Sequence, residues 1–423
     1  MKSLNDFGSF NLQGGVFVKT SVISALLASS VLASGYKIPE QSLSGLALGA
    51  ANVAAVDGAD ASYYNPANMA FLDADKSELQ AFITYVNLPK MTYTDNRNPA
   101  YNGKSKEENI VAPLLHFVTP AYQNDWRFGF SAVVPGGLAK RWDTSYQAAS
   151  AKKFSLRIIE ANPTAAYKIN DYAAIGFGAR AVYSTGEVAS DASGVGQPVK
   201  MDMEGDSFDF GYNLALSVRP TEALKLAATY RSKVNLTLEG DAKLNHPLDS
   251  YNGDASVEVP LPAVLSLAAA YTFFQKTTVE FVYERVYWSS YKGIDFNFPN
   301  ESSNNATSFF GREKEKNWKD SNTFRLGITH KATDNLKLMA GFTIDKTPAP
   351  GNTLAFELPD SNSKNYSAGL EYKLSEAASL GAAYIFSDKE ARSVKNSEGL
   401  AGLDGKFSDG GAHLVNLSLR YRF

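Results

Sequence analysis

The sequence predicts an all-β fold, a transmembrane antiparallel β-barrel of about 14 strands whose lumen is plugged by a small N-terminal segment. Three observations point there. Apolar and polar residues alternate with period two through most of the chain after residue 76. The connections between those runs alternate between very short and long. An export signal stands in front of them.

The export signal comes first in the chain. Lys19 supplies the positive flank, and Val22 to Leu32 (VISALLASSVL) is an apolar run of small and aliphatic residues. Val31 and Ala33 fit a small-residue cleavage site, which places the cut after Ala33 and makes residues 1–33 a signal peptide with an N-terminal extension. Beyond it no stretch reaches the roughly 18 consecutive apolar residues of a membrane helix. An exported chain of this kind is either soluble or a barrel in the bacterial outer membrane.

Residues 34–75 are rich in Ala, Gly and Ser, carry little charge, and hold turn signals at Asp57-Gly58 and Asn65-Pro66. About forty such residues are better packed than solvated, so they are expected to fill a lumen. Residues 76–423 form the barrel. Strands are expected near 76–93, 108–119, 125–134, 152–169, 172–190, 202–219, 222–239, 256–272, 277–297, 321–331, 335–345, 361–374, 378–388 and 411–423. In Asn322 to His330, Thr323, Arg325, Gly327 and Thr329 oppose Phe324, Leu326 and Ile328. In the last run Val415, Leu417, Leu419, Tyr421 and Phe423 share one face. Connections near 170, 220, 333 and 376 are short, whereas 94–107, 136–151, 240–255, 298–320 and 389–410 read as long polar loops. Short periplasmic turns alternating with long outer loops are the outer-membrane pattern.

Composition narrows function mostly by exclusion. The net charge of −3 offers no basic surface for nucleic acid. The chain has no cysteine, and none of its four histidines (His116, His246, His330, His413) sits at metal-ligand spacing from another or in a catalytic motif. No enzyme activity, metal or cofactor is expected. Pro135-Gly136-Gly137 follows the alternating run Phe128–Val134. Proline cannot donate to the ladder and glycine weakens it, so these residues mark either a kink in the wall or a turn into the next loop.

The chain resembles the outer-membrane long-chain fatty acid transporter family (FadL), which includes aromatic-hydrocarbon channels. The likeness is carried by Ser34-Gly35-Tyr36 through Asn65-Pro66-Ala67, His116–Pro120, Gly137–Ala139, Trp318-Lys319-Asp320 with Arg325, and Asp345 through Pro348 and Pro350. It implies passive uptake of hydrophobic compounds, above all long-chain fatty acids, through a lumenal pocket, movement of the N-terminal hatch, and sideways exit at the Pro135–Gly137 kink. It implies that Lys319 meets the ligand carboxylate. The arginine the family pattern pairs with it aligns with Ser190, so Arg180 and Arg325 are the substitutes, and uncharged aromatic hydrocarbons stay open as ligands. A general porin is a further alternative, against which the plug argues. The partners implied are the hydrophobic ligand, outer-membrane lipid and lipopolysaccharide, and the barrel-assembly machinery, with a monomeric barrel.

Overall fold

The computed structural model describes residues 35–123, 125–299, 304–398 and 402–423. The expected signal peptide, its cleavage point and Ser34 lie outside the described residues.

The alternation becomes a wall with two unlike faces. On Lys200–Val218, Phe208, Phe210, Tyr212, Leu214 and Leu216 are exposed, Phe210 to 70%, while Ser207, Asn213, Ala215 and Ser217 between them are buried. On the last strand Val415, Leu417, Leu419 and Tyr421 are likewise exposed, and Asn416 and Arg420 are buried. Apolar residues out and polar residues in is the reverse of a water-soluble sheet, and it suits a wall facing lipid.

Fourteen strands close into the antiparallel barrel. They are β1 (Glu78–Leu88), β2 (Glu108–Val118), β3 (Trp126–Arg141), β4 (Lys153–Asn170), β5 (Ala173–Asp191), β6 (Lys200–Val218) and β7 (Leu224–Arg231 continued by Val234–His246). They continue as β8 (Asp249–Leu261 and Val264–Phe273), β9 (Thr277–Val286), β10 (Ser321–Lys331), β11 (Leu336–Asp345), β12 (Ser363–Lys373), β13 (Ala378–Lys389) and β14 (Gly411–Arg422). β1 and β14 pair from Glu78↔Arg422 to Asn87↔His413. Ser77 and Phe423 exchange two backbone hydrogen bonds beyond the ladder, of 2.8 and 3.1 Å. No sheet edge is then left unpaired in hydrocarbon by the join.

Each strand expected from the sequence is present, but several limits move. The first splits: β1 ends at Leu88, and Thr92–Asp95 pairs instead with Leu403–Ser408 in a small sheet over the outer end. Residues 240–255 are not a loop. β7 and β8 run on as a hairpin, paired in register from Val234↔Leu261 to His246↔Asp249. Leu236, Leu238, Ala242 and Leu244 keep the apolar side inward there, and the outward side is polar because the hairpin has left the lipid. β3 likewise continues through Pro135–Gly137 to Arg141, and β9 stops at Val286.

The segment from Gly35 to Phe71 lies in the lumen, and exposed residues 73–76 lead from it to β1. It contains two short helices, Leu43–Ala47 and Ala61–Tyr64, and a 3-10 turn at Pro66–Phe71. So little regular structure leaves many backbone groups to satisfy, and inward polar residues of the wall do it. Glu280 accepts the N–H groups of Val53 (2.6 Å), Ala54 (2.6 Å) and Ala55 (3.1 Å). Arg325 and Thr343 both donate to the Gly49 carbonyl at 2.9 Å, and Ser367 donates to that of Ala47.

Candidate ligand cavity and wall gap

The site is built around the tip of the lumenal segment. Gly35 has φ +65°, and a Cβ there would lie 2.5 Å from the Trp318 ring, so backbone and space both require glycine. Tyr36 then packs edge-on against Trp288, with ring centroids 4.7 Å apart, and lies within 6.1 Å of Tyr291 and 6.0 Å of Trp318. Its hydroxyl donates to the Pro260 carbonyl. Such aromatic pairs contribute about 0.5–1.5 kcal/mol each beyond burial, so the tip is held but not locked.

Tyr36 and Trp318 form one side of an apolar cavity whose walls come from β3 to β8 and from the loops after β9 and β11, with Leu138, Leu156, Val188, Met203 and Leu238 among them. Its volume is about 70 Å³. That is far below the roughly 300–1,000 Å³ of an occupied small-molecule pocket. A ligand must therefore displace something, and Tyr36 is the part of the lining that belongs to the lumenal segment. The inward-facing charges of the cavity are Lys316 and Glu357, which are paired with each other and buried. Burial alone would raise the Glu357 carboxyl, but Lys316 and Lys314 hold it below its ordinary value.

Behind Tyr36 the wall is incomplete. β2 and β3 pair only from Leu115↔Ala132 to Val118↔Gly129, although β2 pairs with β1 along its whole length. From Val133 onward β3 leaves β2, and its register against β4 shifts between Val133 and Gly136. The freed groups of β3 pair with the lumenal segment instead. Ile38 donates to the Pro135 carbonyl (2.9 Å) and Gly137 to that of Tyr36 (2.7 Å). The Gln41 side chain both accepts from the Val134 N–H (2.9 Å) and donates to its carbonyl (2.8 Å). Pro135-Gly136-Gly137 is thus a kink inside a strand, and of the two readings left open by the sequence the turn is excluded.

The charged residues singled out from the sequence do not converge on the cavity. Lys319 is exposed, and its N–H donates to the Pro348 carbonyl at 3.0 Å. Arg325 is buried against Glu284 (3.0 Å), which also holds Lys37 of the lumenal segment (2.5 Å). Arg180 pairs with Glu160 at 2.9 Å, and Arg231 takes the other oxygen of the same carboxylate. Both arginines are thus occupied by protein carboxylates. Asp320 pairs with Arg285 at 3.0 Å, and Asp345 accepts from Thr323 at 2.7 Å. Pro350 leads into the turn Gly351–Thr353 beside Ala349, a cavity residue. Asn65 donates to the Val53 carbonyl (2.8 Å) and to Ser217 (2.9 Å), and Pro66 and Ala67 pack where Gly176 leaves room. Lys316 was missed. It sits in an irregular loop among Lys314 and Lys319, where no periodicity says which lysine turns inward. Glu280 and Glu284 were not singled out either, although two carboxylates four residues apart on a period-two strand must share one face of β9.

No group of residues suited to a metal occurs among the described residues. A closed barrel with an apolar outer belt, a lumenal plug, and an apolar cavity beside a gap in its wall defines an outer-membrane channel for hydrophobic compounds. The chain belongs to the outer membrane protein transport protein family (OMPP1/FadL/TodX), whose model matches residues 24–423. That family comprises transport channels and not enzymes. A long-chain fatty acid transport protein of Escherichia coli O6:H1 is 25% identical, covering 97% of this chain and all of its own length. Outer membrane protein P1 of Haemophilus influenzae is 24% identical over 94% of this chain and 97% of its own. In fold, the chain is similar to a Pseudomonas aeruginosa FadL homologue, with TM-score 0.80, 20% identity, and 92% and 99% of the two chains covered. The Pseudomonas putida toluene transporter TodX follows with TM-score 0.70, 17% identity, and 92% and 99% covered.

Proposed function

We propose that the protein takes up long-chain fatty acids passively across the outer membrane, through the cavity at Tyr36 and out sideways at the β3 kink. One observation carries this reading. Tyr36 lines the cavity and its carbonyl holds Gly137 of the kink, so one residue touches both the ligand space and the closure of the wall. A ligand that fills the cavity pushes Tyr36 aside and removes the backbone partner that covers the gap. The carboxylate competes with Glu357 for Lys316, and the hydrocarbon chain lies against the apolar wall. Relatives that transport fatty acids support this choice of ligand.

Uptake of labelled oleate by cells lacking their own transporter, with and without this protein, tests the reading beside the same measurement with toluene. Replacing Pro135–Gly137 with a strand-forming sequence should abolish oleate uptake. A second reading has its own observation: Arg180 and Arg325 are occupied by carboxylates and Lys316 by Glu357, so each of these three cations is already paired. On that reading uncharged aromatic hydrocarbons are the cargo, and toluene enters while oleate does not.

A further inference from the structure

Gly186 of β5 stands opposite Gly205 of β6, and Gly205 stands opposite Gly240 of β7. All three line the cavity. The row continues to Leu156 of β4 on one side and Ala255 of β8 on the other. A strip of wall three strands wide therefore shows bare backbone to the lumen, bordered along the strands by Val188 and Met203. Neighbouring strands are about 4.8 Å apart, so the strip is a trough roughly 10 Å long that runs around the barrel and not along it.

Glycine within a strand weakens it and commonly marks the close approach of something else. Elsewhere in this wall that something is the lumenal segment. A Cβ on Gly176 would strike Pro66 and Ala67, one on Gly341 Leu48, one on Gly369 Ala47, and one on Gly381 Leu43. At the Gly186 row no lumenal residue comes near. A Cβ on Gly205 or Gly240 would strike the neighbouring strand's backbone, lying 2.8 Å from the Glu239 carbonyl and 2.1 Å from that of Glu204 respectively. A Cβ on Gly186 would lie 3.1 Å from the tip of Leu238 and 3.8 Å from the Ser155 carbonyl. What covers Gly186 is the flexible end of the Leu238 side chain, which a ligand chain can push aside where a backbone contact could not be moved.

We propose that the Gly186–Gly205–Gly240 trough is the subsite for the hydrocarbon end of the ligand remote from Lys316, and that it sets how long a chain the protein accepts. This rests on the fatty acid reading above. A chain anchored at Lys316 and crossing the cavity turns into the trough, where bare backbone gives it the width that side chains deny elsewhere. Short chains end before reaching it.

The test is binding of oleate and decanoate to the purified protein, as wild type, Gly186→Leu and Leu238→Ala. Gly186→Leu fills the trough and is expected to weaken oleate about tenfold, the loss of some two buried methylenes, with decanoate unchanged. Leu238→Ala lengthens the trough and should strengthen oleate relative to decanoate, which keeps the test sound if the leucine disturbs the barrel. A crystal structure with an ω-brominated fatty acid locates the chain end directly, with bromine expected beside Gly186 and Gly205. Equal effects on both acids, or bromine elsewhere in the cavity, would overturn the subsite while leaving transport standing. A wild-type protein that binds neither acid but admits toluene would instead overturn the fatty acid reading beneath it.

Discussion

Lys316 is the buried cation of the cavity, and its replacement by methionine keeps much of the side-chain length without the charge. Hydrogen bonds to charged groups contribute about 1.5–3 kcal/mol, so oleate affinity is expected to fall roughly 10- to 100-fold, with toluene affected little. Because the single change leaves Glu357 buried without its partner, the pair Lys316→Met with Glu357→Gln belongs in the same measurement. Equal loss of oleate and toluene in both variants would make Lys316 a structural residue. Glu40, in the lumenal segment, is buried with neither carboxylate oxygen hydrogen-bonded, and burial, partly offset by Arg325, pushes it up to about 7. A carboxyl raised in the seated state favours seating in its neutral form. That contribution is complete below the ordinary carboxyl range and is lost as pH rises through about 7. Hydrogen-exchange protection of the backbone of residues 36–41, taken relative to the intrinsic rate at each pH, should therefore fall between about pH 4.5 and 7, and Glu40→Gln should flatten that fall. Neither residue could be chosen from sequence, since Lys316 and Glu40 owe their roles to neighbours far along the chain, Glu357 and Arg325.

The elements were more legible than the residues. Period two placed every strand of the barrel wall, because a wall with lipid on one side and a packed lumen on the other sorts side chains strictly, but Arg392–Asn396 and Leu403–Ser408 of the small outer sheet fall in a stretch expected to be loop. Limits failed where that sorting lapses. The β7–β8 hairpin beyond the membrane is polar outside and reads as loop, and Pro135-Gly136-Gly137 reads equally as turn or kink until its partner is known. That partner, residues 36–41, lies almost a hundred positions earlier. Two outcomes follow at this scale. Glu284→Gln removes the carboxylate shared by Lys37 and Arg325 and leaves two buried cations together, which should weaken seating of the lumenal segment by about 3–5 kcal/mol. Limited proteolysis of the folded barrel would then cut within residues 35–76, where the parent resists. Straightening β3 with Val-Thr-Val in place of Pro135–Gly137 should extend β2–β3 pairing past Ala132 and stop release. A straightened strand that still transports oleate would remove the gap from the route.

For the whole molecule, the barrel closes through β1 and β14 without help from the lumenal segment, whereas that segment leans on the wall for its backbone bonds. Deletion of residues 35–76 should leave a folded barrel that conducts ions in planar bilayers, and the full chain should conduct far less. Equal conductance would mean the segment does not seal the lumen. The exposed apolar belt and the sorted connections gave the membrane location, and they are properties of the sequence as a whole, which is why they could be read without a partner or a contact.

The borrowed pairing at the kink gives the channel a return force. When Tyr36 and Ile38 leave Pro135 and Gly137, backbone groups of β3 stand open toward hydrocarbon, where each unmet one costs about 1–3 kcal/mol. The bilayer thus opposes the open gate and drives it shut once cargo has passed into the lipid. Such a gate needs no fuel to reset. It should also stand ajar more readily in a wet, loosely packed detergent micelle than in the membrane that encloses it.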